Sequence, residues 1–153
     1  MLSLSEITAL AAALGSGLVA GLCYAFGSFV LRSFDSLGAQ QAIRAMQAVN
    51  ATILRSSAMW VWFGTAVLGV VAAALAEHPL PATAAAALYG IGAILITGRG
   101  NVPLNEELDR VDPDAPEAEA AWQRYRVLWG RWNALRTVVC ILASAGFALA
   151  LQA

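Results

Sequence analysis

The stretch Trp122-Gln-Arg-Tyr125-Arg-Val-Leu-Trp129-Gly-Arg-Trp132-Asn133-Ala-Leu-Arg136 runs directly into an uncharged C-terminal segment. Its large and polar side chains recur at the helical period, so they share one face of a helix. Apolar residues follow Arg136 at once, which places its charge where a helix enters hydrocarbon. A charge at that depth is costly unless it is paired. The stretch therefore predicts a membrane helix whose polar stripe faces a partner.

The composition of the whole chain is typical of a membrane protein. Hydrophobic residues make up 59% and charged residues 12%, against roughly 25% charged residues in a soluble domain. Four segments carry no charge, 7–31, 56–76, 79–98 and 137–153, and each has the roughly 17 to 25 residues that a spanning helix needs. We predict one all-α integral membrane domain over residues 1–153, a four-transmembrane-helix bundle with spans at about 7–31, 56–76, 79–98 and 133–153.

The connections between the spans carry further expectations. Residues 33–55 are too polar to span but have a helical pattern, which predicts an interfacial helix between the first and second spans. Gly98, Gly100 and Pro103 predict a helix break after the third span. Asp114 and Glu117 resemble a capping signal for a long last helix that extends beyond the membrane into the cytoplasm.

The arginines predict the orientation. All nine lie in the first-to-second and third-to-fourth connections or at the helix ends next to them. The positive-inside rule then places both connections in the cytoplasm and both termini on the other side of the membrane. We expect this membrane to be a bacterial inner membrane. Trp60 and Trp62, at the start of the second span, are expected in the aromatic belt. Acidic residues in the same loops offset the arginines, so the sequence gives no support for nucleic-acid binding.

Several amides precede or follow the spans at this cytoplasmic end. Gln47 and Asn50 have two possible interpretations. They form local hydrogen bonds at a solvated helix end, or they belong to a shared polar site. Asn101 and Asn105 likewise either cap helix ends or point into a pocket. If the helix ends pack together, they enclose a cavity with aromatic walls, amides and a guanidinium, which suits a planar apolar ligand with a few oxygens.

The sequence has no motif for a metal or a bulky cofactor. It has one histidine, no cysteine pair at ligand spacing, and no H-E-x-x-H, G-x-G-x-x-G or P-loop pattern. We therefore expect no cofactor. The expected partners at this point are the lipid bilayer and a small lipophilic ligand, and a second copy of the chain is a further candidate partner.

The motif Asn101-Val-Pro-Leu-Asn105, followed by the aromatic stripe and preceded by Ala45-Met-Gln47-Ala-Val-Asn50, resembles the anthrone oxygenase-like family of small four-helix membrane proteins. Residues 21–26 also resemble the first span of that family. The resemblance implies two further partners, a small lipophilic aromatic substrate and molecular oxygen. It implies that an anthrone is oxidised to an anthraquinone by molecular oxygen without a bound metal or flavin. The candidate catalytic residues are Arg136, Asn133, Asn105 and Asn101, and the candidate substrate-binding residues are Gln47, Asn50, Tyr125, Trp129 and Trp132.

Three hypotheses remain open from the sequence. The chain is a cofactor-independent oxygenase, or a non-catalytic membrane protein that binds a lipid, quinone or partner subunit, or a bundle whose polar cluster only fixes helix register. The sequence does not identify a catalytic base. The nearest carboxylates are interpreted as solvated loop charges: Glu106, Glu107 and Asp109.

Overall fold

The computed structural model describes residues 2–151 of the chain. Within these residues no strand occurs, and four helices are long and apolar enough to cross a membrane: Leu4–Asp35, Ser57–Leu75, Pro79–Asp109 and Ala118–Ala150. A connecting helix, Ala39–Ile53, joins the first long helix to the second. The predicted all-α architecture with four apolar helices is confirmed. The last two residues of the predicted fourth span, 152 and 153, lie outside the described residues.

Two of the long helices contain a π-helical segment, in which N–H groups bond to carbonyls five residues back. The first consists of Leu4–Ala25, the π segment Phe26–Val30 and Leu31–Asp35. The third consists of Pro79–Tyr89, the π segment Gly90–Asn101 and Val102–Asp109. Side chains fix two of the helix starts, because Ser3 accepts from the Glu6 N–H and Ser56 from the Ala58 N–H.

The four long helices form a closed bundle in which each packs against its neighbours in chain order and the fourth packs against the first. The bundle core holds Phe147, Tyr89 and Trp62. The Trp62 indole donates to the Ala93 carbonyl at 2.8 Å, and the Tyr89 hydroxyl donates to the Trp62 carbonyl at 2.8 Å. The aromatic-belt expectation is therefore wrong for Trp62, whereas Trp60 is 84% exposed as a belt residue would be.

The connecting helix covers one end of the bundle. Its buried face, which includes Ile43 and Met46, packs against the N-terminal half of the fourth long helix. Arg44 donates to Asp114 at 2.6 Å, and Gln40 also donates to that carboxylate. These bonds, the Arg44 bond first, hold the pKa of Asp114 below its ordinary value.

The capping expectation for Asp114 is wrong. The fourth long helix begins at Ala118, and Glu117 before it makes no side-chain cap hydrogen bond. Asp114 instead ties the loop to the connecting helix through Arg44. A carboxylate that accepts from a guanidinium and an amide is stabilised more strongly than one that caps a helix terminus exposed to water.

The predicted break after the third span is also wrong, because the helix continues to Asp109. Asn101 has helical dihedral angles, with φ −83° and ψ −40°, and the only positive φ among the described residues is at Gly38. The π segment accommodates the proline: Val102 donates its N–H to Thr97, and Pro103 then falls in the first turn of a new α-helical segment. A proline in a first turn removes no bond that the helix needs.

Close packing accounts for Gly100. A Cβ placed there would lie 2.4 Å from Cδ2 of Trp132, whereas a Cβ at Gly98 would meet nothing within 4 Å. We expect Gly100→Ala to lower the free energy of unfolding by about 1–3 kcal/mol, because the indole must move. Thermal unfolding in detergent measures this. Gly98→Ala is the matched control and should leave stability equal or slightly higher, since it replaces a helical glycine. Equal midpoints for the two variants would contradict the packing role of Gly100.

Candidate functional site

A cavity of about 360 Å³ lies where the connecting helix meets the four long helices. This size falls within the roughly 300–1,000 Å³ of small-molecule sites. Most of the lining is apolar, and its aromatic, sulfur-containing and charged members include Cys23, Phe26, Met59, Trp62, Trp129 and Arg136. We call it the Arg136 cavity.

Arg136 carries the positive charge of this cavity. Its side chain is buried, with 8% of the residue exposed, and its guanidinium carbon lies 5.1 Å from the ring centroid of Trp129 and 5.5 Å from that of Trp62. Nε donates to Asn133 Oδ1 at 3.0 Å, and Nη1 donates to Thr97 Oγ1 at 3.3 Å. It forms no salt bridge with any carboxylate of residues 2–151. Two indole faces and two neutral oxygens thus hold a buried cation whose charge is not neutralised.

Asn133 holds Arg136 in place from outside the cavity lining. It is 1% exposed, and its Nδ2 donates to the backbone carbonyl of Cys23 at 2.8 Å. Cys23 lies in the last turn before the first π segment, and its carbonyl accepts the Phe26 N–H in addition to the Asn133 amide. One amide therefore joins the first and fourth long helices and orients the guanidinium.

Trp129 and Asn101 leave buried polar atoms without partners in the described part of the chain. These atoms are the indole N–H of Trp129 and Oδ1 of Asn101. Trp129 lines the Arg136 cavity, whereas Asn101 lies behind it and donates to the Trp129 carbonyl at 3.2 Å. Buried polar atoms normally have partners. The indole N–H of Trp129 is thus an unusual buried donor in the wall of the cavity.

Asn105 lines the cavity and is oriented by Tyr125. The Tyr125 hydroxyl donates to Asn105 Oδ1 at 2.9 Å. Tyr125 itself lies behind the cavity, stacked between Trp122 and Trp129 with centroid distances of 5.7 and 6.1 Å. Because its oxygen is already bonded to Tyr125, the Asn105 amide has its N–H₂ group left for a ligand.

The two amides of the connecting helix have different positions. Asn50 lines the cavity, and its Nδ2 donates to Asp109 at 2.9 Å. Gln47 lies outside the lining and donates to the carbonyls of Leu108 and Val111, both at 3.0 Å. Gln47 therefore fastens the connecting helix to the end of the third long helix.

Trp132 does not line the Arg136 cavity. Its indole covers Gly100 on the outer side of the bundle, and 41% of the residue is exposed. Of the nine residues singled out from the sequence, the structure places Asn50, Asn105, Trp129 and Arg136 in the lining, and it places Gln47, Asn101, Tyr125, Trp132 and Asn133 around it.

Sequence reasoning missed Trp62 and Thr97, which contact Arg136, and Phe26, whose ring lies 5.9 Å from that of Trp129. A signal for Trp62 was present. Residues two apart on a helix point about 200° from each other, so Trp60 and Trp62 could not both face the lipid. No comparable signal marks Thr97 or Phe26.

The fold and the cavity together define a class: a small four-helix membrane protein with a ligand-sized aromatic cavity and one buried guanidinium. Residues 56–146 match the family model described as anthrone oxygenase, and the chain belongs to that family. The match includes residues 101–105 and 122–136, whereas the similar residues at 21–26 and 45–50 lie before it. Neither a curated protein nor a solved structure matches the chain.

Proposed function

We propose that this protein is a cofactor-independent membrane oxygenase that converts a lipophilic anthrone to the corresponding anthraquinone. The observation that carries the proposal is the buried charge of Arg136, held between Trp62 and Trp129 without a carboxylate partner in residues 2–151. A buried cation of this kind is matched by an anion on the ligand. An ionised anthrone is a planar aromatic anion with its charge on oxygen.

The reaction balances without any further reagent. The ring methylene loses two hydrogens and gains one oxygen atom from O₂, and the other oxygen atom leaves as water. Loss of one methylene proton gives the delocalised phenolate, and this electron-rich anion passes an electron to O₂. Arg136 contributes by stabilising the phenolate in a site of low polarity, where a fixed charge has a large effect. The N–H₂ group of Asn105 is the further donor for a ligand oxygen.

In this proposal, Arg136 and Asn105 contact the substrate, and Trp62, Trp129 and Asn50 form the walls. Asn133 and Asn101 are positioning residues, because their bonds run to Arg136 and to the Trp129 backbone. Tyr125 positions Asn105, and Gln47 holds the connecting helix over the cavity.

No carboxylate belongs to the described lining of the cavity. Glu107 pairs with Arg124, Glu106 lies 4.0 Å from Arg110, and Asp109 accepts from Asn50. The methylene proton therefore leaves to water in this mechanism, and the protein drives ionisation by lowering the pKa of the substrate instead of supplying a strong base.

The mouth of the cavity supports a substrate that arrives from the bilayer. Its rim includes the exposed apolar residues Leu54, Phe63 and Val102 together with Gly98. A polycyclic molecule dissolved in lipid would pass between the second and third long helices without crossing water. The orientation is part of the proposal: the arginine-rich end, where the cavity lies, faces the cytoplasm.

Narrowing the rim should slow turnover. We expect Gly98→Leu to lower kcat/KM by about tenfold or more, because the added side chain occupies the entrance and small changes in pocket shape have effects of this order. Gly90→Leu is the matched control, since a Cβ at either glycine meets nothing within 4 Å. Equal kcat/KM values for the two variants would contradict entry at this rim.

The direct test incubates purified protein with an anthrone under air and under argon, and subtracts the uncatalysed oxidation. The proposal expects oxygen uptake equal to anthraquinone formed, above the background rate, and no oxidation under argon. Absence of any excess rate over background with anthrones that demonstrably bind would contradict it.

The second candidate is a non-catalytic binder of a quinone or a similar lipophilic molecule. The observation that favours it is the lining of the Arg136 cavity. Its described residues offer hydrogen-bond donors for a ligand but no carboxylate that could act as a base. This function predicts that a hydroxyanthraquinone binds with a dependence on Arg136 while no anthrone is turned over.

A further inference from the structure

A second hollow lies on the outside of the bundle and is separated from the Arg136 cavity by Cys23 and Asn133. It is a groove of about 760 Å³ between the first and fourth long helices, with Arg32, Asp35, Arg126 and Arg131 at one end and apolar residues such as Tyr24 and Ile141 at the other. A hollow of about 470 Å³ shares Tyr24 and Ile141 and continues along small residues, among them Gly17, Gly21 and Ala145. Together the two form one long groove with a polar and an apolar end.

Glycines keep this groove open. A Cβ at Gly21 or at Gly130 would meet nothing within 4 Å, so larger side chains there would extend into the groove without disturbing the bundle. From Gly17 to Arg32 the helix advances about 22 Å at 1.5 Å per residue. That length equals one leaflet, which is half of the roughly 40–45 Å of a bilayer with its headgroups.

The polar end carries an excess of positive charge. The Asp35 carboxylate already has two partners: it accepts from the Trp122 indole at 2.8 Å and forms a salt bridge with Arg126 at 3.4 Å. Arg32 and Arg131 are exposed and form no salt bridge with a carboxylate of residues 2–151. Both guanidiniums are therefore available to an anion outside the protein.

We infer that this groove binds an anionic phospholipid, with its phosphate between Arg32 and Arg131 and an acyl chain along Tyr24, Ile141 and Gly21. The charge at the mouth, the apolar continuation and the leaflet length all match this one ligand. A second copy of the chain in the same orientation matches less well, because its own arginines would lie at the same depth and face like charges.

The test measures lipid retention by native mass spectrometry of the full-length protein titrated with phosphatidylglycerol or phosphatidylcholine. Two arginines near the headgroup level are expected to favour the anionic lipid by about thirtyfold. Arg32→Gln with Arg131→Gln should abolish this preference. Arg55→Gln with Arg99→Gln is the charge-matched control, since both arginines are exposed and outside the groove, and it should keep the preference.

Filling the groove provides an independent variant. Gly130→Leu should reduce retention of both lipids while the Arg55 and Arg99 control binds normally. Two outcomes would overturn the inference. One is a double variant of Arg32 and Arg131 that keeps the wild-type preference for phosphatidylglycerol. The other is a dimer that Gly130→Leu converts to a monomer without a change in lipid retention. Neither readout depends on oxygenase activity.

Discussion

Replacing Arg136 with glutamine should reduce anthrone turnover by about 10²- to 10³-fold, the usual effect of removing one donor that stabilises a developing oxyanion. The glutamine amide ends near the position of the arginine Nε, so it can still donate to Asn133, but it carries no charge. The rate of anthraquinone formation at saturating oxygen measures the effect. Because a buried charge without a carboxylate partner is itself unfavourable, the thermal midpoint of this variant should not fall.

The matched control is Arg99→Gln, which removes an exposed arginine of the third long helix that does not line the cavity. It should keep the wild-type rate. If Arg136→Gln keeps its activity and loses stability, the polar cluster is structural, as the third hypothesis from the sequence holds, and the oxygenase proposal fails.

Asn133→Ala should lower the free energy of unfolding by about 2–4 kcal/mol, because it leaves the buried Arg136 Nε–H without its partner and removes the bond from the fourth helix to the Cys23 carbonyl. Urea or thermal unfolding in detergent measures the loss. Activity should fall as well, since Arg136 loses the contact that orients it, and the KM for anthrone should rise with the loss of orientation.

Leu135→Ala, at a lipid-facing position of the same helix, is the control for side-chain truncation; Leu135 is 48% exposed. It should unfold close to wild type. A stability loss for Asn133→Ala no larger than for Leu135→Ala would contradict the role of the amide as a link between helices.

The four apolar helices were predictable because uncharged runs long enough to span a bilayer have few alternatives. The position of Asn50 and Asn105 in one cavity with Arg136 was also predictable, because the sequence places amides next to the ends of several uncharged segments. Adjacent residues on a helix point about 100° apart, so Trp132 and Asn133 could not both face the centre of the bundle. Trp132 lies at the edge of the stripe and packs on Gly100 instead.

The π segments account for the wrongly predicted helix break and for two of the missed cavity residues. The sequence 98–103 has the composition of a helix break, but a wider helical turn accommodates Pro103 and the chain stays helical. Hydrophobic periodicity carries no signal for such a turn. For the same reason the sequence did not indicate Thr97 and Phe26, which reach the cavity from within the π-helical segments.

The most direct measurement is the pKa of a hydroxyanthraquinone bound in the Arg136 cavity, read from the colour change of its phenol on ionisation. An apolar cavity alone would raise the pKa of the phenol, whereas a buried guanidinium lowers it. We expect the pKa of the dye bound to the wild-type protein to lie at least about one unit below its value in detergent alone, and Arg136→Gln to bring it to that value or above it. A bound dye whose pKa is unchanged or raised in the wild-type protein would contradict the proposal that Arg136 stabilises an anionic substrate.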